Sequence, residues 1–456
     1  MRNGQVSFWM AEAGSSPNRA PLRGGETSDV CIVGAGLTGL WTAYYLKRAD
    51  PSLDVVIVEA RFAGFEASGR NGGWLTNAIA GSPKRYAATH GVECARALQR
   101  AYTESVDEVL SVCENEQVEA DIVKGGNLVL AYSKPQLQRI QPVVDDARFW
   151  GLTDWVVLDA EQTRSRIAAA GVLGGYWNPQ CARLNPAKLV GGLASLVELM
   201  GVRIFEDTRA HHIAPGEVRT ALGRISSPVI IRATEGFTSS LPGQRRTWLP
   251  MNSSMIVTDP LPNDVWSAIG WDGFETLGDM AHAYTYAQRT ADGRIAIGGR
   301  GIPYRFGSRT DHDGETPQWT VDKLRHQLLT YFPSLSDVPI AHAWSGVLGV
   351  PRDWCATVSL DPSTGIGWAG GYTGHGVSTA NLAGRTLRDL ILGEQTSLTA
   401  LPWVDRGVRS WEPEPIRWAG VRAMYMAYRA ADALESRFGS TTSLLARLAD
   451  KVSGRE

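Results

Sequence analysis

One stretch near the start of the chain constrains the fold more than any other feature. An apolar run, Val30 to Val33, leads into glycines spaced G-x-G-x-x-G and then into an apolar stripe at helical spacing. A second apolar run, Val55 to Val58, ends at Glu59. Strand, glycine turn, helix, strand and acid, in this order, predict the βαβ unit that holds an adenine dinucleotide.

The residue types in this unit match the demands of such a ligand. Gly34 permits the tight turn, Gly36 lets the backbone approach a pyrophosphate, and Gly39 lets the helix pack against the strand. The helix N-terminus directs free N–H groups and a positive dipole end at the phosphates. Glu59 is placed to bind ribose hydroxyls and would repel a 2′-phosphate, which disfavours NADP. A glycine triplet by itself also occurs in packing turns, but its context here favours the nucleotide.

Length, charge and cysteine usage narrow the class of protein. The 456 residues exceed one ordinary core, so we expect two domains. The net charge is −2 and no Lys/Arg block occurs, so nothing indicates nucleic acid or an anionic membrane as a partner. The five cysteines form no C-x-x-C pair, which predicts a reducing compartment and neither zinc nor an iron–sulfur cluster. With no secretion signal and no transmembrane segment, we predict a cytoplasmic location.

The hydrophobic periodicity changes along the chain. Helical patterns cover residues 90–117 and 186–200, whereas residues 127–132 are typical of a strand. Asp292-Gly293, between two strand-like runs, predicts a hairpin. An amphipathic helix is predicted over 321–331.

The two ends of the chain differ from the middle. Residues 1–27 carry Pro17 and Pro21 and are predicted to form an irregular arm. Phe8-Trp9-Met10 is expected to fix this arm to the body, with a partner contact as the alternative. A helix from Ile416 to about Phe438 carries an aromatic stripe. We expect this helix to pack on the body because its charges are mixed, and a membrane surface or a substrate channel are the alternatives.

A second glycine turn lies far from the first. Ile366 to Ala369 is an apolar run, GGYTGHG follows it at residues 370–376, and an apolar helical stripe then ends at Gly393. Strand, glycine turn and helix thus recur. A second helix N-terminus is predicted to face a negative or polarised group.

Three motifs together resemble a known family. VGAGLTG with Glu59, ASGRNGG at residues 67–73 and GGYTGHG occur in the order seen in the FAD-dependent oxidoreductases of the D-amino-acid oxidase, glycine oxidase and sarcosine oxidase superfamily. ASGRNGG looks most similar to the gamma-glutamylputrescine oxidase-like amine oxidases. The resemblance covers about residues 28–400.

The resemblance implies a set of residues that hold FAD, whose ADP half lies on the βαβ unit and whose flavin lies near GGYTGHG. These residues are Gly34, Gly36, Gly39, Glu59, Arg61, Ser68, Arg70, Asn71, Gly72, Gly73, Ala210, Thr234, Gly374, His375 and Gly376.

Two departures limit what the family implies. The sarcosine oxidase branch binds substrate carboxylate with a Lys three positions after the matching His, where this chain has Ser378. Some relatives bond the flavin covalently through a Cys near the end of the second sheet. The sequence around Cys355 does not align with that pattern, so noncovalent FAD is favoured and Cys355 is interpreted as a buried thiol.

The catalytic candidates each have a structural alternative. His375 is placed to bond or tune the flavin, or it only shapes the turn. Tyr284 and Tyr286 line the substrate cavity or pack within the sheet. Trp344 and Trp74 are candidate aromatic walls for a cationic amine, although most of the 16 Trp are expected in cores. Arg352 is a candidate for binding a substrate carboxylate, with a surface ion pair as the alternative.

The predicted fold class combines α/β and α+β: a Rossmann-like FAD-binding domain interleaved with an antiparallel-sheet substrate domain, followed by a helical C-terminal tail. The segments are an N-terminal arm (1–27), the FAD-binding domain (28–115, 183–245 and 336–400), the substrate domain (116–182 and 246–335) and the tail (401–456).

The leading hypothesis is an amine oxidoreductase. A hydride passes from the amine carbon to flavin N5, and the resulting imine is hydrolysed. The partners are a small-molecule amine and oxygen or another electron acceptor, whereas the substrate and the oligomeric state are left open. The alternatives are FAD-dependent oxidation of a hydroxy compound and a non-catalytic FAD-binding assembly partner.

Overall fold

The computed structural model describes residues 1–14, 18–299, 301, 303–310, 313–439 and 441–453. Its helices are α1 (Phe8–Ala13), α2 (Leu37–Ala49), α3 (Ala67–Arg70), α4 (Pro83–His90), α5 (Val92–Asn115), α6 (Lys134–Phe149), α7 (Ala160–Arg166), α8 (Pro186–Leu199), α9 (Asn263–Ile269), α10 (Gln318–Tyr331), α11 (Gly376–Leu392), α12 (Ile416–Phe438) and α13 (Leu444–Ser453). Short 3₁₀ helices cover Glu235–Ser240, Phe306–Ser308 and Pro333–Leu335.

The strands of the described residues are β1 (Arg2–Asn3), β2 (Gly24–Thr27), β3 (Val30–Val33), β4 (Val55–Val58), β5 (Trp74–Thr76), β6 (Asn127–Ala131), β7 (Val156–Asp159), β8 (Gly174–Asn178), β9 (Cys181–Arg183), β10 (Arg203–Phe205), β11 (Ala210–Ala214), β12 (Glu217–Thr220), β13 (Gly223–Ser226), β14 (Val229–Arg232), β15 (Leu249–Thr258), β16 (Thr276–Asp279), β17 (Thr285–Arg289), β18 (Ile295–Gly299), β19 (Ile340–Val350), β20 (Thr357–Asp361) and β21 (Ile366–Gly370).

The predicted βαβ unit forms the centre of a six-stranded sheet, in the order β10-β4-β3-β14-β21-β20. Its strands run parallel except for the antiparallel pair of β20 and β21. Both faces are covered, which explains why β3 and β4 are apolar at every position. Ile32 and Ile57 pack with helices α2, α5, α8 and α11, whereas Cys31 and Val56 pack against a four-stranded sheet, β11-β12-β13-β2.

A nine-stranded mixed sheet forms the second layer, in the order β1-β19-β15-β18-β17-β16-β6-β8-β7. The hairpin predicted at Asp292-Gly293 is confirmed, because β17 and β18 pair antiparallel across it. Strand β19 lies within the segment 336–400 that we predicted for the FAD-binding domain. It pairs antiparallel with β15 and therefore belongs to the larger sheet. The domain boundaries otherwise stay a prediction.

Both ends of the chain pack on this body. The prediction of an irregular N-terminal arm is wrong in part, since β1 pairs with β19, β2 pairs with β13 and α1 is capped by Ser7. The predicted tail helix is observed as α12, and its aromatic stripe is buried at Tyr425 and Tyr428, as expected for packing on the body. Among the described residues, no helix is both long and apolar enough to cross a bilayer.

Candidate active site

A cleft lies where the carboxyl ends of the parallel strands meet the nine-stranded sheet, and it encloses about 1210 Å³ of space, part of it open to solvent. We call it the central cleft. In open α/β sheets, ligands bind at this edge. Its described walls comprise Gly36, Leu37, Thr38, Ala67, Ser68, Arg70, Asn71, Gly72, Trp74, Thr76, Ala233, Glu235, Ser253, Tyr284, Tyr286, Gly346, Val347, Leu348, Tyr372, Gly374, His375, Gly376, Val377 and Ala380.

The first glycine turn has little room for any side chain. Gly34 has a φ of +115°, and a Cβ there would lie 2.5 Å from the carbonyl oxygen of Ala233. A Cβ on Gly39 would lie 2.1 Å from the carbonyl oxygen of Gly34. Both glycines therefore bring α2 close to the sheet, and Gly36 is the one that lines the cleft.

The acidic end of the unit is oriented by backbone donors. The Glu59 carboxylate accepts hydrogen bonds from the N–H of Ala35 at 2.9 Å and of Arg61 at 3.0 Å. Burial raises the pKa of Glu59, and these N–H groups oppose the rise. Arg61 lies on the ring of Phe65, 4.6 Å from its centroid. Glu59 and Arg61 lie outside the walls of the central cleft, and so do Ala210 on β11 and Thr234 before the 3₁₀ helix. The contacts of these four residues with the adenosine half of FAD therefore stay a prediction.

The ASGRNGG segment forms one wall of the central cleft. Its Ser68 hydroxyl accepts the N–H of Leu37 at 2.9 Å, which ties this segment to the start of α2. The Asn71 side chain accepts the N–H of Gly73 at 2.8 Å and donates to carbonyls of its own turn. Gly73 lies directly behind the wall, where a Cβ would lie 2.2 Å from the carbonyl oxygen of Leu184.

Arg70 holds this wall from behind. Its side chain is 1% exposed, and its three guanidinium nitrogens donate to the backbone carbonyls of Phe65, Ser345 and Gln5 at 2.9, 3.1 and 2.7 Å. Three of the five guanidinium N–H donors are thus used by backbone carbonyls, which fixes the orientation of the group. Arg70 is also one of the described lining residues of the cleft.

The second glycine turn faces the first across the central cleft. Gly374 has a φ of +114°, His375 is the N-cap residue of α11, and Gly376 begins that helix. The Tyr372 hydroxyl lies 2.8 Å from the Thr38 hydroxyl on α2, which joins the two turns. The N-termini of α2 and α11 therefore face one cavity, and both direct positive dipole ends at its contents.

Glu235 is a component of the cleft that the sequence reasoning did not identify. Its carboxylate accepts N–H groups from Gly371 and Tyr372, each at 3.0 Å, and one from Gly349. It thereby joins the second glycine turn to β19. Burial raises the pKa of Glu235 to about 7 even though these N–H groups oppose the rise. A Glu after a buried strand, directly before a Gly, was the available signal.

The nine-stranded sheet supplies an aromatic wall. Tyr284 and Tyr286 both line the cleft with Trp74, and the rings of Trp74 and Tyr286 meet edge to face at 6.1 Å. The Tyr286 hydroxyl lies 2.8 Å from that of Ser253. A Cβ on Gly72 would lie 2.8 Å from the Tyr286 ring, so the two walls are in close contact.

Two predicted catalytic residues lie elsewhere. Trp344 is fully buried in a cluster with Phe8 and Trp9, and its indole N–H donates to the carbonyl of Arg70 at 2.9 Å. Its prediction as a cleft wall is wrong because the side chain is enclosed in this cluster, and Trp344 is not among the described walls of the central cleft. Arg352 forms an ion pair with Glu412 at 3.0 Å, outside the cleft walls, which is the alternative stated for it.

Cys355 also lies outside the walls of the central cleft. It is fully buried, and burial raises the pKa of its thiol. Such a thiol is a poor nucleophile. This position supports noncovalent FAD, which stays a proposal.

Comparison with known proteins identifies the family. The model of the DAO family, described as "FAD dependent oxidoreductase", matches residues 29–390. The chain belongs to this family. A DAO-family relative, gamma-glutamylputrescine oxidoreductase of Escherichia coli, is 30% identical over 398 residues, covering 85% of this chain and 89% of the relative. The probable oxidoreductase OrdL of Haemophilus influenzae is 28% identical, covering 83% and 86%.

Solved structures share the fold of this DAO-family protein. Glycine oxidase from Geobacillus kaustophilus has a TM-score of 0.68 at 19% identity, covering 83% of this chain and 98% of that one. L-proline dehydrogenase from P. horikoshii has a TM-score of 0.69 at 18% identity, with the same coverage. The predicted fold class and FAD as cofactor are thus confirmed.

The geometry of the cleft fits FAD. The glycine cradle at Gly36 and the two helix N-termini suit the diphosphate and a polarised ring edge. The space enclosed is large enough for part of an extended dinucleotide. The protein is therefore an FAD-dependent oxidoreductase with amine-oxidising relatives.

Proposed function

We propose that this enzyme oxidises a C–N bond of an amine that lacks an α-carboxylate. When FAD is bound, it accepts a hydride from the carbon beside the amine nitrogen, and water hydrolyses the resulting imine to a carbonyl compound and ammonia or a smaller amine. Oxygen or another electron acceptor would take the electrons from the reduced cofactor. The residues of this chain bind and orient the amine and exclude water from the reacting carbon.

The observation that carries this proposal is the composition of the cleft walls. Trp74, Tyr284 and Tyr286 form an aromatic surface suited to a cationic or alkyl amine. Arg70, the one guanidinium among the described walls, is bonded to three carbonyls. Ser378 stands where one branch of the family has a carboxylate-binding Lys, and its hydroxyl donates to the carbonyl of Thr76 at 2.6 Å. These features favour an amine over an α-amino acid.

Two residues are assigned roles within this proposal. His375, which lines the cleft at the start of α11, would hold or tune the polarised part of the bound cofactor. Tyr284, beside Tyr286, contacts the substrate from the sheet side. The E. coli relative is named for a glutamylated diamine, which supports the reaction class.

Anaerobic reduction of the purified flavoprotein tests the proposal. We expect alkyl amines, diamines or polyamines to bleach the flavin absorbance, and α-amino acids of similar length to do so at least tenfold more slowly. Admission of air is then expected to restore the colour and produce hydrogen peroxide. Bleaching by hydroxy acids or α-amino acids in preference to amines would refute the proposal. Flavin that no compound reduces, in a protein that captures a partner, would favour an assembly role.

A further inference from the structure

A second cleft lies behind the central cleft and shares no described lining residue with it. It encloses about 740 Å³ between the end of β14, the 3₁₀ helix Glu235–Ser240, β20, β21 and the chain after residue 405. Its polar lining consists of two arginines, Arg232 and Arg406, with Gln244 and three threonines. No carboxylate occurs among its described lining residues.

The two arginines are both held in place. The Arg232 guanidinium lies over the indole of Trp368, 5.1 Å from the ring centroid. The Arg406 guanidinium is paired with Asp353 and donates to the carbonyl of Cys355 at 3.2 Å. A guanidinium that is already ordered loses less conformational entropy when it binds an anion.

Arg232 differs from Arg406 in its charge balance. Its side chain has no hydrogen bond or ion pair to another described residue, and its Nε atom is buried. Burial lowers the pKa of Arg232 and no neighbouring carboxylate raises it again, whereas Asp353 raises that of Arg406. A partly buried cation without a counter-charge is unfavourable, and an anion that binds there removes this cost.

The neutral groups add further donors. The Thr247 hydroxyl donates to the Gln244 side-chain oxygen at 2.8 Å, which leaves the Gln244 amide N–H groups as donors. Thr238 lies at the edge of the cleft with its hydroxyl 2.8 Å from that of Thr234. Arginine forks with hydroxyl and amide donors are the groups that recognise carboxylate and phosphate oxygens.

We propose that the second cleft is a binding site for a small oxyanion, a carboxylate or a phosphate. The N–H groups of Arg232, together with those of Arg406 and Gln244, hold this anion. The site is separate from the amine-oxidising cleft. The 3₁₀ helix borders both, with Glu235 on the central cleft and Thr238 on the second, so an anion bound here contacts the element that holds the second glycine turn.

Titration of the FAD-loaded protein tests this proposal, because bound FAD blocks its own phosphate contacts. Inorganic phosphate and succinate are each titrated by calorimetry against sodium chloride of equal ionic strength. We expect saturable 1:1 binding of at least one of them, and the one that binds identifies the source of the oxyanion. Arg232→Gln is expected to lower the affinity for that anion by at least tenfold, which is typical of losing a charged hydrogen-bond donor.

Two further variants keep the test decisive. Arg219→Gln, on an exposed strand of the small sheet, is expected to bind as the wild type does. Arg232→Lys keeps the charge but loses the planar fork, so an intermediate affinity is expected even where Arg232→Gln folds poorly. Absence of saturable binding of both anions to the wild type, or wild-type affinity in both Arg232 variants, would overturn the proposal.

Discussion

The two walls of the central cleft are built in different ways. The wall formed by residues 67–73, here the loop wall, presents mostly backbone and small side chains. The wall on the nine-stranded sheet, here the sheet wall, presents the rings of Tyr284 and Tyr286. Backbone N–H groups can bind a diphosphate or a flavin edge whatever the substrate is, whereas ring positions determine which amine fits.

The N-terminal arm supports the loop wall. The Ser7 hydroxyl donates to the carbonyl of Gly69 at 2.5 Å, and the Trp9 indole N–H donates to that of Asn71 at 2.9 Å. Arg70 returns a bond to the carbonyl of Gln5. The first ten residues thus fix the backbone of the loop from its rear side.

The C-terminal helix supports the sheet wall. The two carboxylate oxygens of Asp432 accept the N–H groups of His282 and Ala283 at 2.9 and 3.0 Å. Glu435 lies 2.9 Å from the His282 ring nitrogen and 2.7 Å from Arg139. Because Tyr284 follows directly, helix α12 sets where the sheet wall begins. Damage at one end of the chain should therefore affect the cofactor, and damage at the other should affect the substrate.

Arg70→Met should have the largest effect. It removes three hydrogen bonds from a buried charged group, each worth about 1.5–3 kcal/mol, so we expect a loss of about 4 kcal/mol or more in unfolding free energy and release of FAD. Urea unfolding and the flavin-to-protein absorbance ratio after gel filtration measure both. Arg100→Met, at an exposed position of α5, is the control and should change neither. Stoichiometric FAD at wild-type stability would contradict the support assigned to Arg70.

Asp432→Asn tests the sheet wall. The amide keeps one acceptor but turns an NH₂ group toward a backbone N–H, so we expect His282 and Ala283 to be held less firmly. The KM for the best amine should rise about tenfold, which corresponds to about 1.4 kcal/mol, while FAD content stays at the wild-type level. Faster amide exchange over residues 279–286 is expected as well.

The exposed Arg437→Gln on the same helix is the matched control for Asp432→Asn. If Asp432→Asn lost FAD and left the KM unchanged, the division of labour between the two walls would be wrong.

Trp9→Phe should have a smaller effect on the loop wall. It keeps most of the ring packing on Phe8 and Trp344 but removes the donor to Asn71, worth about 1 kcal/mol. We expect the Kd for FAD to rise about fivefold, measured by quenching of flavin fluorescence on titration with apoprotein. Trp319→Phe, at a side chain 47% exposed, should leave the Kd unchanged. A KM effect without a change in FAD affinity would contradict the assignment of α1 to the loop wall.

The sequence predicted the loop wall better than the sheet wall for a physical reason. The glycines of the βαβ unit and the ASGRNGG segment act through backbone geometry within a few residues, so their spacing is visible in the chain. The contacts of Ser7 with Gly69 and of Asp432 with His282 join residues 62 and 150 positions apart. No local pattern reports such contacts.

The errors have the same origin. Side-chain chemistry alone favours Trp344 and Arg352 as site residues. A tryptophan, however, packs wherever the opposing surface is apolar, and an arginine turns to the nearest carboxylate, here Glu412. Glu235 was missed because its three N–H partners come from β19 and from the turn before α11, segments more than 100 residues later in the chain.

Glu66 lies where the two walls meet, and its titration tests the joint between them. Its side chain is 15% exposed, accepts the N–H of Val347 on β19 at 2.9 Å and lies 4.0 Å from Arg70. Burial raises the pKa of Glu66 from 4.5 to about 7, although Arg70 and Val347 oppose the rise. Between these two values the unfolded chain has lost a proton that the folded chain retains. The stability contributed by this group is therefore lost as pH rises through that window.

Glu66→Gln keeps the acceptor for Val347 but cannot ionise. We expect its melting temperature to match that of the FAD-loaded wild type near pH 4.5 and to exceed it progressively up to about pH 7, with a constant difference above. Scanning calorimetry at half-unit steps from pH 4.5 to 8 measures this difference in melting temperature. For Glu104→Gln, at an exposed position of α5, the difference from the wild type should not change with pH. If the melting temperature of Glu66→Gln fell below that of the wild type as pH rises, the Arg70 contact would outweigh burial in setting the pKa of Glu66. The joint between the walls would then be an ion pair instead of a buried carboxyl group.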